Sequence, residues 1–208
     1  MASRARLLVV SGPSGVGKGT VVAALAGMCE DIVVAVSATT RPPRPGEVDG
    51  VHYRFLDDHE FDSLVAAGGF LEWAEYNGHR YGTPWSSVHQ TPASERTTLV
   101  LEIDVQGARE VRARFPDAVL VLLVPPSMRE LEARIRRRGV HDEAEVARRL
   151  AIAERELAQA EFFDHLVVNA QVGRCVQEIG RIVGCGWEHP STPGPDAGAD
   201  PPLPRSMT

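Results

Sequence analysis

Lysine is nearly absent from this chain of 208 residues. Of its 22 basic residues, Lys18 alone is a lysine and the others are arginines. Cysteine is scarce too. Cys29, Cys175 and Cys185 show no metal-ligand pairing and no even count for a disulfide framework, which makes a reducing cytoplasm the expected home. No apolar run reaches the length of a membrane span. The arginines near the N-terminus are followed only by Leu7-Leu8-Val9-Val10, too short an apolar core for a signal peptide. Basic charge is not in excess either. The formal net charge of −6 argues against a general nucleic-acid binder, although Arg134, Arg136, Arg137 and Arg138 form a local basic cluster. The histidines fall into no ligand pattern. No nucleic-acid partner and no membrane is therefore expected.

The surviving lysine stands in Ser11-Gly12-Pro13-Ser14-Gly15-Val16-Gly17-Lys18-Gly19-Thr20, directly after the apolar run. A position that keeps lysine among arginines calls for a compact, flexible ammonium rather than a planar fork. The spacing from Gly12 to Gly17-Lys18 is that of a phosphate-cradling loop. Leu7–Val10 reads as a buried parallel strand, and Val21, Val22, Leu25 and Met28 recur at helical spacing after the glycines. Between strand and helix, successive backbone N–H groups can turn inward around an anion, at the positive end of the helix dipole. The loop residues Gly12, Pro13, Ser14, Gly15, Val16, Gly17, Lys18, Gly19 and Thr20 are the expected site for a phosphate chain. Gly19 departs from the usual hydroxyl after the lysine, so the metal-facing role passes to Thr20, or to phosphates and water alone.

Further along, Ile32–Val36 and His52–Leu56 read as strands, and a helix is predicted from Asp58 to the stop at Gly68-Gly69. Phe70–Tyr76 and His79–Gly82 read as a hairpin turned by Asn77-Gly78. Thr98–Asp104 and Ala118–Val124 are near-continuous apolar strands; Ser127 and Glu130 form a capping-box pattern for the next helix. A long helix over about 142–161, a strand at His165–Val168 and a helix over about 172–184 complete the pattern. Strands alternating with helices imply an α/β fold, a mostly parallel sheet with helices on both faces. Ligands then bind beyond the carboxyl ends of the strands, where the phosphate loop meets Glu102 and Asp104. The expected division is a core of residues 1–36 and 84–185, an inserted and mainly antiparallel unit at 37–83, a lid at about 134–150 and a disordered Pro- and Gly-rich tail at 186–208.

The insert carries Ser37-Ala38-Thr39-Thr40-Arg41-Pro42-Pro43-Arg44-Pro45-Gly46-Glu47, then Tyr53, Glu72-Trp73 and Tyr81-Gly82-Thr83. Arg41 and Arg44 on a proline-stiffened loop make a clamp suited to a monophosphate. In these motifs, from about residue 6 to 184, the chain resembles the guanylate kinases, P-loop nucleoside monophosphate kinases that phosphorylate GMP from ATP. The resemblance implies that Arg41, Arg44, Tyr53 and Tyr81 hold the GMP phosphate. It implies that Ser37, Glu72 and Thr83 read the guanine, and that Glu102 and Asp104 lie near base, ribose and metal. Arg134, Arg138 and Arg149 match the lid arginines, with Arg134 toward ATP. The cofactor implied is Mg²⁺.

Guanine offers N1–H and the 2-amino group as adjacent donors, and one carboxylate, Glu72, can accept both. Adenine lacks the pair and would leave the carboxylate unpaired, a mismatch worth roughly 10⁴-fold in discrimination. Other readings of the same residues remain. Arg41 and Arg44 could be surface charges, Glu72 the solvent-facing residue of an alternating strand, Tyr53 and Tyr81 core packing, Asp104 a helix N-cap, and Arg136–Arg138 a solvated helix face. Rival functions are an AMP kinase, which needs no carboxylate for the guanine donors; a non-catalytic protein-binding relative, which needs neither Lys18 nor the clamp; and a GTP switch, which does not explain the clamp.

Overall fold

The computed structural model describes residues 5–91 and 96–185. The tail from 186 onward, expected to be disordered, lies outside the described residues. The elements follow in the order β1 Arg6–Ser11, α1 Lys18–Met28, β2 Ile32–Val34, β3 Ala38–Thr39, β4 Arg54–Phe55, α2 Asp58–Ala66, β5 Phe70–Tyr76, β6 His79–Pro84 and α3 Trp85–His89. They continue with β7 Thr98–Glu102, α4 Val105–Arg114, β8 Val119–Val124, α5 Met128–Arg137, α6 Glu143–Leu157, a 3₁₀ turn at Ala160–Phe162, β9 His165–Val168 and α7 Val172–Val183.

Five strands form a parallel sheet in the order β2-β7-β1-β8-β9. Its apolar runs are continuous because both faces are covered. Leu8, Val10, Val100, Val121 and Leu123 point into one core with α1, α6 and α7. Val9, Leu99, Leu101, Leu120 and Leu122 alternate onto the other face, against α4. The register sets Val10 beside Glu102, so the phosphate loop and the acidic end of β7 leave the sheet side by side. A second sheet, β4-β3-β6-β5, is mixed: β5, β6 and β3 pair antiparallel, while β4 joins β3 in parallel. Its hairpin turns at Asn77 (φ 52°) and Gly78 (φ 76°), the left-handed pair a two-residue turn requires.

Several expectations need correction. The strand expected over His52–Leu56 shrinks to Arg54–Phe55, and the helix expected to reach 161 stops at Leu157. Ser127 accepts the N–H of Glu130, but the Glu130 carboxylate turns to Arg134 and Arg137, so only half of the capping box forms. A complete box instead starts α2, between Asp57 and Glu60. Cys29 and Cys185 are joined in a disulfide, and Cys175 is free and buried. The odd cysteine count concealed this pair. Cys29 caps α1 and Cys185 follows α7, and the packing of those helices brings together positions 156 residues apart.

Candidate active site

The phosphate loop, the acidic end of β7, the second sheet and the α5–α6 segment enclose one cleft. Gly15, Gly17, Lys18 and Gly19 line it together with Ser37, Arg41, Arg44, Tyr53, Tyr81, Glu72, Glu102, Asp104 and Arg138. Pro13 and Ser14 line it too. Thr20 and Arg134 line a neighbouring depression, which shares Gly15, Gly17 and Arg138 with the cleft. The loop thus forms the wall between two spaces.

The loop's shape requires glycine at Gly12. Its φ is +141°, and a Cβ there would stand 2.4 Å from the Leu123 carbonyl oxygen. At Gly19 a Cβ would stand 3.3 Å from Glu102 Oε2, a tight contact with the end of a flexible side chain. Lys18 Nζ donates to the Gly12 carbonyl at 2.5 Å, folded back over its own loop. Val16 is buried, and its carbonyl accepts from Asn169 Nδ2 at 2.8 Å and from Arg134 at 3.1 Å. Arg134 also donates to the Asn169 carbonyl. Arg134 is therefore a prop beneath the loop as well as a neighbour of the second depression.

At the far end of the cleft, Glu72 is buried on β5 and lines the cleft together with Ala74, while Trp73 is exposed on the other face. The solvent-facing reading of Glu72 fails because Leu71, Glu72 and Ala74 are all buried, past a register shift between Phe70 and Glu72 that breaks the simple alternation. Thr83, its register partner on β6, donates its hydroxyl to Glu72 Oε1 at 2.6 Å. Thr83 is fully buried and outside the cleft lining, so it meets the cleft through Glu72. Burial raises the Glu72 carboxyl to about 7; the Thr83 bond opposes this and the charge of Asp104 adds to it. Gly107 leaves the space for this carboxylate, since a Cβ there would lie 2.4 Å from Glu72 Oε2. Asp104 caps α4 through the Gly107 N–H at 2.8 Å and also lines the cleft, so capping and cleft position coincide.

Arg41 is buried, not a loose surface charge. Its guanidinium donates to Glu47 Oε1 at 2.9 Å and to the Pro42 carbonyl, and lies 5.5 Å from the Tyr53 ring centre. Burial works against its charge, but Glu47 more than offsets this and its pKa is raised. Glu47 also accepts the Arg44 N–H, so one carboxylate shapes the loop that presents both arginines. Arg44 itself is exposed. Tyr53 and Tyr81 pack edge to face at 6.1 Å, and burial pushes the Tyr53 phenol up. Burial likewise raises the Glu102 carboxyl, against the pull of Lys18 and Arg138. Arg149 pairs with Glu145 on its own helix at 2.6 Å, outside the cleft lining. Arg136 and Arg137 are held by Glu132, Glu143 and Glu130 on the helix surface, as a solvated face would be.

The two loop arginines, a buried carboxylate and the glycine loop with Lys18 share one cleft. The chain matches the guanylate kinase family over residues 4–184. It belongs to that family. It is 52% identical over 174 residues to a guanylate kinase of Thermobifida fusca, covering 84% of this chain and 88% of that one. With a guanylate kinase of Synechococcus elongatus the identity is 49% over 174 residues, covering 84% and 94%. The crystal structure of guanylate kinase from Anaplasma phagocytophilum superposes with a TM-score of 0.71 at 30% identity, over 88% of this chain and 86% of that one. As a guanylate kinase the chain is a transferase, an ATP:GMP phosphotransferase of the P-loop nucleoside monophosphate kinase fold.

Sequence reasoning passed over Glu47 as a structural partner, and Tyr76, Glu156 and Asn169 altogether. Tyr76 and Glu156 line the cleft. None of them carries a short-motif signal: Glu156 is one of many acids on a helix, and only tertiary packing turns it inward.

Proposed function

We propose that GMP occupies the cleft with its base on Glu72, backed by Thr83 and flanked by Ser37, and its phosphate on Arg41, Arg44, Tyr53 and Tyr81. The ATP phosphates lie along Gly12–Thr20, whose shape Arg134 supports. Glu102 and Asp104 flank the base, ribose and metal. The attacking group is an ionised phosphate oxygen, so no general base or covalent intermediate is needed, and catalysis consists of positioning and charge stabilisation. Lys18 releases the Gly12 carbonyl and follows the transferring phosphoryl group; Arg138 enters from the α5 end. Arg149 exchanges Glu145 for phosphate when the lid, about 134–150, closes together with the 37–83 insert. Closure excludes water and protects ATP from hydrolysis.

The donor set fits Mg²⁺ carried on the triphosphate. Among the described residues no group of three His, Cys, Asp or Glu could hold a metal ion, whereas the Thr20 hydroxyl begins α1 beside the loop. When bound, the ion neutralises charge on the triphosphate.

The observation that carries this reading is Glu72, held from behind by Thr83, in the same cleft as Lys18. The reading extends to dGMP, whose base and phosphate are the same, and to supply of GDP and dGDP for GTP and dGTP synthesis and purine recycling in the cytoplasm, as a monomer or dimer. A coupled assay with ATP·Mg²⁺ against GMP, dGMP, AMP, UMP and CMP tests it. GMP and dGMP should be used and the others rejected by roughly 10⁴-fold. Comparable turnover of AMP would overturn the role of Glu72.

A further inference from the structure

Oε2 of Glu156 is buried in the cleft wall without a hydrogen-bond partner, and the Tyr76 hydroxyl in the same wall has only Ser14 to face. Glu156 is 7% exposed. It faces inward from the last turn of α6, two turns beyond Arg149. Burial raises its carboxyl to about 7, the charge of Lys18 draws it down and that of Asp104 pushes it up. Asp104 bears in the same way on Glu72. Glu156 thus shares the cleft with Asp104, Lys18 and Glu72.

A buried, unpaired carboxylate oxygen is costly unless a donor arrives to meet it. GMP carries donors only at N1, at the 2-amino group and on its sugar hydroxyls; Glu72 takes the first two, and an ionised phosphate offers none. The sugar hydroxyls are the donors that remain, and Glu156 lines the same cleft as Glu72 and Lys18. We infer that Glu156, with the Tyr76 hydroxyl beside it, is a specificity residue that accepts the 3′-hydroxyl of the acceptor nucleotide's sugar. The 2′-hydroxyl is not the target, because the reading above includes dGMP. The inference rests on that reading, with GMP in this cleft.

Titration calorimetry without ATP or Mg²⁺ tests it, comparing dGMP with 2′,3′-dideoxy-GMP, which differ only at the 3′ position. The unaltered protein should bind dGMP about tenfold tighter or more, the value of a hydrogen bond to a charged group. The ratio should fall toward one in Glu156→Ala and part-way in Glu156→Gln, with the preference for GMP over AMP retained in both. Equal binding of the two nucleotides by the unaltered protein overturns the inference even if Glu156→Ala does not fold, and so does an undiminished ratio in Glu156→Gln. An effect of Glu156→Gln that appears only with ATP·Mg²⁺ would assign the carboxylate to metal-bound water instead, and overturns it too. Failure of any guanine nucleotide to bind would defeat the active-site reading as a whole, a separable result.

Discussion

The Thr83 hydroxyl donates to the Glu72 carboxylate across 2.6 Å, between two strands paired at that register, inside a wall that admits almost no water. The bond orients the carboxylate and occupies one lone pair of Oε1. The remaining lone pairs are left for a ligand with adjacent donors. Glu72→Gln replaces an acceptor with a donor facing the guanine 2-amino group. The expected result is a fall of about 10²-fold or more in kcat/KM for GMP, with ATP binding little changed. Steady-state kinetics with each substrate varied in turn check this; unchanged GMP affinity would remove Glu72 from base recognition.

The same carboxylate makes the free protein sensitive to pH. Its pKa rises from an ordinary 4.5 to about 7 on folding, so the folded state binds the extra proton between those values. Stability is therefore greatest below about pH 4.5 for this group and falls as pH rises through the window to 7. The loss is on the order of 3 kcal/mol. Glu72→Gln should melt higher than the parent at pH 8 and match it at pH 5. Thermal melts of both proteins from pH 4.5 to 8.5 decide; identical pH profiles would mean that Glu72 is ionised without penalty.

Lys18→Arg keeps the charge and loses the compact ammonium that donates to the Gly12 carbonyl. We expect kcat to fall about 10²- to 10³-fold, with the melting temperature nearly unchanged. Near-normal turnover would show that charge alone suffices at this position.

Arg134 joins the Val16 and Asn169 carbonyls, so Arg134→Ala frees the back of the phosphate loop. The expected loss is about 1–3 kcal/mol of stability, together with a raised KM for ATP and a smaller effect on GMP. An unchanged KM for ATP alongside the stability loss would confine Arg134 to a structural role.

The Cys29–Cys185 disulfide ties the end of α1 to the end of α7 across 156 residues. Reduction, or Cys185→Ser, should lower stability by about 2–4 kcal/mol and leave kcat intact, since both cysteines lie away from the cleft. Melts with and without dithiothreitol measure it.

Much of this was legible in the chain. Leu7–Val10 followed by a glycine loop and Lys18 announces strand, phosphate loop and helix, because local backbone freedom and apolar periodicity are properties of adjacent residues. The Asn77-Gly78 hairpin was legible for the same reason, since it needs left-handed backbone at both positions. The parallel sheet follows from the alternation of strands and helices. The motif order likewise carried the family.

What local patterning could not specify depends on residues distant in sequence. Glu72 becomes an inward carboxylate only because β5 pairs with β6 and lies over α4 at Gly107. Arg41 becomes buried only because Glu47 folds the proline loop back onto it. Cys29 meets Cys185, and Glu156 loses its water, through helix packing that no short motif records. The spacing of residues set which chemical groups the chain owns and in what order. Burial, which depends on every element packed around a side chain, set which of them are ionised, paired or left waiting for a donor.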